Sequence, residues 1–245
     1  MLLRRVIKHV EDQNWLAIGI DFFIVVSGVF IGLQLGNWND VRADKRAYEH
    51  AIERYIAESN TNLERLNAVD TALQERLKEI ATVIDILQNC DAKPDSKQIV
   101  ETGLLRIIGT YGMSLQTSAL DELTTSPILL AQQTDDMRQR FSDTKYRADV
   151  FLREASLIEL IPLEEPIQNL SIVEIGQLEN RELVYSGADY SRAQRNLKLT
   201  VPFEEACQNE ELIKAFFTWE RWQGALPAVS RILREDLEAN LAALE

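Results

Sequence analysis

Four residues near the start of the chain have types and spacing that matter chemically: Asp21, Gly28, Gly32 and Gly36. At roughly 100° per residue on a helix, positions 21, 28 and 32 lie within a few tens of degrees of one another, with 36 slightly off that line. All but Gly36 lie inside Leu16 to Leu35, a nearly continuous apolar run. About 20 such residues are what a helix needs to cross a bilayer. An ionised carboxylate at the depth of Asp21 costs on the order of 3 kcal/mol, so the acid is expected to be neutral, turned to the interface, or matched to a basic residue, proton or ion in an assembled bundle. The doubled small-xxx-small spacing lets a second helix approach closely. The stripe is therefore predicted to be a helix–helix interface.

Elsewhere the reactive residue types do not form a site. Histidine occurs only at His9 and His50. His50 stands between Glu49 and Glu53, but there is no H-E-x-x-H, and a di-iron bundle needs two Glu-x-x-His pairs. These residues read as a solvated helical face. No Gly-x-Ser-x-Gly elbow, Walker loop or dinucleotide fingerprint is present. Tyr111, Tyr185, Tyr190, Trp219 and Trp222 could line a pocket. Trp219 and Trp222, three apart on one helix, fit a core stripe better. No catalytic residue, cofactor or metal ligand is predicted.

The charge is uneven. Arg4, Arg5 and Lys8 balance Glu11, Asp12 and Asp21, so the whole net charge of −13 falls beyond residue 36. So acidic a region repels nucleic acid, which is excluded as a partner. Cys90 and Cys207 are the two cysteines. In an oxidising compartment they would pair and clip the end of a long helix to the C-terminal region; two buried free thiols are the alternative.

The elements that position the stripe follow from the pattern around it. The apolar run is longer than a signal-peptide core and lacks an A-x-A close, so it reads as an uncleaved anchor over 15–36. Trp15 and Trp38 bracket it about 34 Å apart, as interfacial anchors do. Gln34, Asn37 and Asn39 stand where the helix leaves the bilayer, facing headgroups or neighbouring helices. Residues 1–14 form a tail with Leu2, Leu3, Val6 and Val10 set against Arg4, Arg5 and Lys8, suited to a membrane surface. The short basic tail favours an N-terminus inside.

No glycine or proline occurs between Asn37 and Lys93, and apolar residues recur every three or four positions from Tyr48 to Leu87. One long helix over 37–93 is predicted, interrupted at Ser59-Asn60-Thr61-Asn62 and ending near Asn89. The remainder, 94–245, should pack on it as a helical domain. Helices are expected over Lys97–Ile108 and Leu115–Thr124, from a Thr134 cap through Glu159, and from Asn209 to the end with a kink at Pro227. Residues 162–202 are expected to be irregular with one short helix near Ile172–Leu178. No strand is predicted; the fold class is all-α.

The run Gln34-Leu35-Gly36-Asn37-Trp38-Asn39-Asp40-Val41-Arg42 resembles a bacterial family of single-pass membrane proteins of unknown function. Its members end an acid-bearing membrane helix with Q-x-N-N-W-N-[ED]-x-R. Here Gly36 replaces the first Asn, and Asp21 stands where Glu is usual. Ser118 to Leu123 with Asp135 to Arg140 is similar to a second stretch of that family, although Pro127 falls where its pattern has Gly. The resemblance implies membrane anchoring and a helical domain, with no assigned activity.

The expectation is a non-enzymatic, membrane-anchored interaction, scaffold or accessory protein. It would associate through its glycine-lined helix as a homo-oligomer or with another membrane protein. The expected location is a bacterial inner membrane, with the domain periplasmic. A homo-oligomeric pore with Asp21 in its lumen, and an enzyme using carboxylates of the outer domain, are the alternatives.

Overall fold

A computed structural model describes residues 15–185 and 188–244; the side chains of 15, 17 and 181–190 are outside that description. The amphipathic tail and His9, expected at the membrane surface and at no site respectively, lie outside the described residues.

The organising element is α1, Trp15–Asn89, a single helix of 75 residues and about 110 Å. The predicted interruption at Ser59–Asn62 does not occur. Propensity there is poor, but the polar side chains face inward and are used. The Asn62 amide donates to the Gln116 carbonyl at 2.7 Å and accepts from its N–H at 2.8 Å, replacing a strand-like pairing for a loop that has no other partner there. Burial at that interface outweighs the cost of Ser and Asn in a helix interior. The helix ends at Asn89, where Cys90 takes a left-handed backbone (φ 48°). The Asp91 N–H reaches the Ile86 carbonyl and the Cys90 N–H that of Leu87, which together make a Schellman cap.

The domain packs on the distal half of this spine, from Tyr48 onward. Helix α2 (Ser96–Ile107) runs back along it, and α3 (Ser118–Thr125), α4 (Pro127–Gln132) and α5 (Asp135–Leu160) follow. The Ser126-Pro127 pair ends α3 as predicted. Pro127 then starts α4, an extra turn and a half, because a proline's missing N–H is no loss in the first turn. The Thr134 hydroxyl caps α5 by accepting from the Met137 N–H at 3.2 Å. After a four-residue helix, α6 (Phe203–Ala206), the predicted last helix is two: α7 (Glu210–Gln223), capped by Asn209, and α8 (Leu226–Leu244). Pro227 breaks the run where a kink was expected. Its ring excludes the carbonyl four residues back, and its place in the first turn of α8 suits a helix start.

Residues 162–202 differ most from expectation. In place of a short helix they form an antiparallel hairpin, β1 (Val173–Tyr185) and β2 (Ala188–Leu199), paired from Val173↔Leu199 to Tyr185↔Ala188. Among its described side chains only those at the base are buried, Val173, Leu197 and Leu199. A register shift between Ile175 and Leu178 spoils the two-residue alternation that marks a strand in sequence. The remaining elements are helical, so the fold is broadly all-α.

Two apolar cores line one side of α1. Tyr55, Leu120, Leu123, Leu129 and Phe141 make the smaller one, nearer the apolar run; Tyr55 and Phe141 meet edge to face at 5.2 Å. Leu66, Leu73, Ile80 and Leu87 enter the larger core with Phe151, Phe216 and Trp219. Between them α8 is joined to α1 and α5 by polar contacts. Asp70 accepts from the Ser230 hydroxyl at 3.0 Å and pairs with Arg234. Asp236 accepts from the Thr144 hydroxyl and Arg147, each at 2.6 Å. At the far end Cys90 and Cys207 form a disulfide, with Cα atoms 5.3 Å apart, across 117 residues of sequence. Closing so long a loop removes entropy from the unfolded chain worth about 4 kcal/mol or more in the chain-entropy account.

Candidate membrane-helix interface

The apolar stretch of α1 stands clear of the domain. Its mean hydropathy reaches 2.1, and none of that window is buried against the rest of the chain. It is the one helix, among the described residues, long and apolar enough to cross a membrane. Large side chains point outward all round it: Phe22 is 71% exposed, Phe23 70% and Leu33 69%. Such a surface is soluble only when another apolar phase covers it.

Asp21, Gly28, Gly32 and Gly36 all lie on this bare stretch. At each of the three glycines, nothing comes within 4 Å of the place where a Cβ would stand, the helix's own backbone aside. Gly103 in α2 differs. A Cβ there would stand 2.8 Å from Val83 Cγ2 and 3.0 Å from the Phe216 ring, so the domain's packing accounts for that glycine. Nothing among the described residues accounts for Gly28, Gly32 and Gly36 of α1.

Because α1 is unbroken, the stripe has a fixed phase relative to the domain. The positions buried in the domain, from Ala51 and Tyr55 through Leu66 to Leu87, lie further along the same helix.

Where the apolar run ends, Gln34, Asn37 and Asn39 are exposed, and the Arg42 guanidinium lies over the Trp38 ring, 5.6 Å from its centroid. Nine residues, about 14 Å of helix, separate Trp38 from Tyr48, which packs against the smaller core. The domain therefore begins just beyond the end of the apolar stretch. The backbone of Trp15 is helical.

The other sequence candidates are structural. His50 Nδ1 lies 3.1 Å from Glu53 Oε2 with both side chains 74% exposed, a solvated pair on the outer face of α1. No group of three or more His, Cys, Asp or Glu converges among the described residues. Trp219 is buried, and its indole N–H donates to the Gly109 carbonyl at 2.9 Å. Trp222 packs on the same core, as does Tyr111, beneath the Arg76 guanidinium. Burial lowers the Arg76 pKa. Tyr185 and Tyr190 belong to the two hairpin strands, and their side chains lie outside the description.

Burial raises the pKa of the Tyr55 hydroxyl, which faces Ser59, Thr144 and Asn240. It also raises that of Glu220, with a further push from Asp85. Tyr55 borders a cavity of about 10 Å³ with Ser59, Asn62 and Thr144, room for about one water. Known family models, characterised proteins and solved structures yield no match to this chain.

Proposed function

We propose that this chain is a single-pass membrane protein that acts as a scaffold or accessory subunit, docking on a second copy or on another membrane protein through the face carrying Asp21, Gly28, Gly32 and Gly36. The observation that carries this reading is the bare stripe on an unbroken helix, with nothing among the described residues within 4 Å of a Cβ at its glycines. Close backbone approach of a partner helix is what small residues at four-residue spacing permit. Asp21 would then find its hydrogen-bond partner across that contact. The rigid spine fixes the domain close to the bilayer surface and couples its orientation to the docked helix.

The Cys90–Cys207 disulfide supports a domain outside the cytosol, because such bonds persist in oxidising compartments. Together with the basic N-terminal tail it favours an N-terminus inside and a periplasmic domain. The resemblance at Gln34–Arg42 supports a bacterial inner membrane.

The test is the mass and composition of the native complex in mild detergent, for the wild type and Gly32→Leu. A homo-oligomer, or a complex with another membrane protein, that comes apart in Gly32→Leu supports docking through the stripe. An assembly whose mass and composition do not change in the variant rules it out.

A further inference from the structure

On the flank of the domain, remote from the glycine stripe, an open groove of about 820 Å³ lies between the segment 161–170 and the first turns of α7. That volume is in the range of ligand sites. Its base is apolar: Ile108 and Leu163 line it, backed by the buried Trp219 and Ile167. Pro162 and Pro166 stiffen the wall that bounds it. Its rim is acidic. Glu164, Glu165 and Glu211 are exposed there, and none takes part in an ion pair among the described residues. The cation of the lining, Lys214, is already held by Glu210 at 2.8 Å. Lys214 also feels the Glu211 charge, which leaves the Glu164 and Glu165 carboxylates as the rim's unpaired acids among the described residues.

We propose that this groove binds an extended, basic segment of a partner protein, in which apolar side chains alternate with lysine or arginine. Alternation sends apolar side chains to the floor while the basic ones meet the rim. The shape favours a polypeptide over a small molecule, because a small ligand needs most of its surface enclosed and this groove is only partly enclosed. The site is separate from the glycine stripe, and either can fail without the other.

The probe is a fluorescent, end-capped octapeptide alternating leucine and lysine, titrated against the full-length protein in phosphatidylcholine nanodiscs with empty nanodiscs as the blank. Saturable binding is expected, and it should be lost when serine replaces the leucines. Charge reversal at the rim, E164K with E165K, should weaken it about tenfold or more, since electrostatic complementarity is removed at two exposed positions that the fold does not need. Reversing two exposed carboxylates on the outer face of α1, E64K with E75K, changes the net charge equally and should leave the affinity unchanged. The proposal is overturned if the wild-type protein does not bind the peptide, if the serine peptide binds as well, or if both charge reversals weaken binding alike.

Discussion

One helix, α1, solves the same problem in two ways. Between Tyr48 and Leu87 its apolar residues form a stripe, and the domain covers it: Leu66, Leu73, Ile80 and Leu87 have no exposed surface. Between Leu16 and Leu35 the apolar residues go all the way round, and none of the described residues covers them. A helix apolar on one face needs a protein partner, whereas one apolar on every face needs a bulk apolar phase. Glycine shows the same contrast. Gly103 is surrounded by Val83 and Phe216, while Gly28, Gly32 and Gly36 face nothing among the described residues. Packing explains the first, and the proposed docking would explain the others.

That division can be broken from either side. Val25 and Val29 are 64% and 60% exposed in the bare half. Replacing both with arginine should cost on the order of 6 kcal/mol of insertion and move most of the protein out of carbonate-washed membranes. The melting temperature of the domain should not change. If the doubly substituted protein stays in the membrane fraction, the bare half is not what holds it there.

The converse substitution is Leu73→Ala in the covered half. A cavity under a fully buried leucine should destabilise the domain by about 2–5 kcal/mol and lower its melting temperature by several degrees. Membrane retention should be unaffected. Loss of both properties together would mean that the two halves are not energetically separate.

The smallest effect concerns titration at the seam between α1 and α7. Burial and the neighbouring Asp85 raise the pKa of the Glu220 carboxyl. The folded protein therefore holds that proton more tightly than the unfolded chain does. The associated stability is fully present below the unfolded carboxylate's pKa and is lost as pH rises through the folded value. Glu220→Gln keeps the neutral form, so it should raise the melting temperature slightly at neutral pH. The difference should disappear below about pH 4. A difference that is the same at both pH values contradicts this account.

Much of the architecture was legible because its determinants are local. The three-to-four-residue recurrence from Tyr48 to Leu87, the Thr134 and Asn209 caps and the breaker after Asn89 each act within a turn or two of helix. The sequence therefore shows them directly. The glycine stripe is equally local, being only spacing on a helix that runs straight through it. The hairpin was hidden because both its faces are largely polar and a register shift interrupts its alternation. The one cue that remains is Ser186-Gly187, a turn dipeptide between the two strand segments.

What the sequence by itself determined is a long helix, apolar all round at one end and amphipathic at the other, followed by shorter amphipathic helices. Only the tertiary structure decided whether Ser59 and Asn62 would end that helix, because the answer depended on Gln116 arriving from 54 residues away to meet Asn62. It also decided that Cys90 meets Cys207, that Pro227 separates two helices, and that Glu164, Glu165 and Glu211 share one groove. The physical reason is the same in each case. A hydrogen bond across a turn is set by neighbours in the chain, but burial is set by whatever else folds against the same surface.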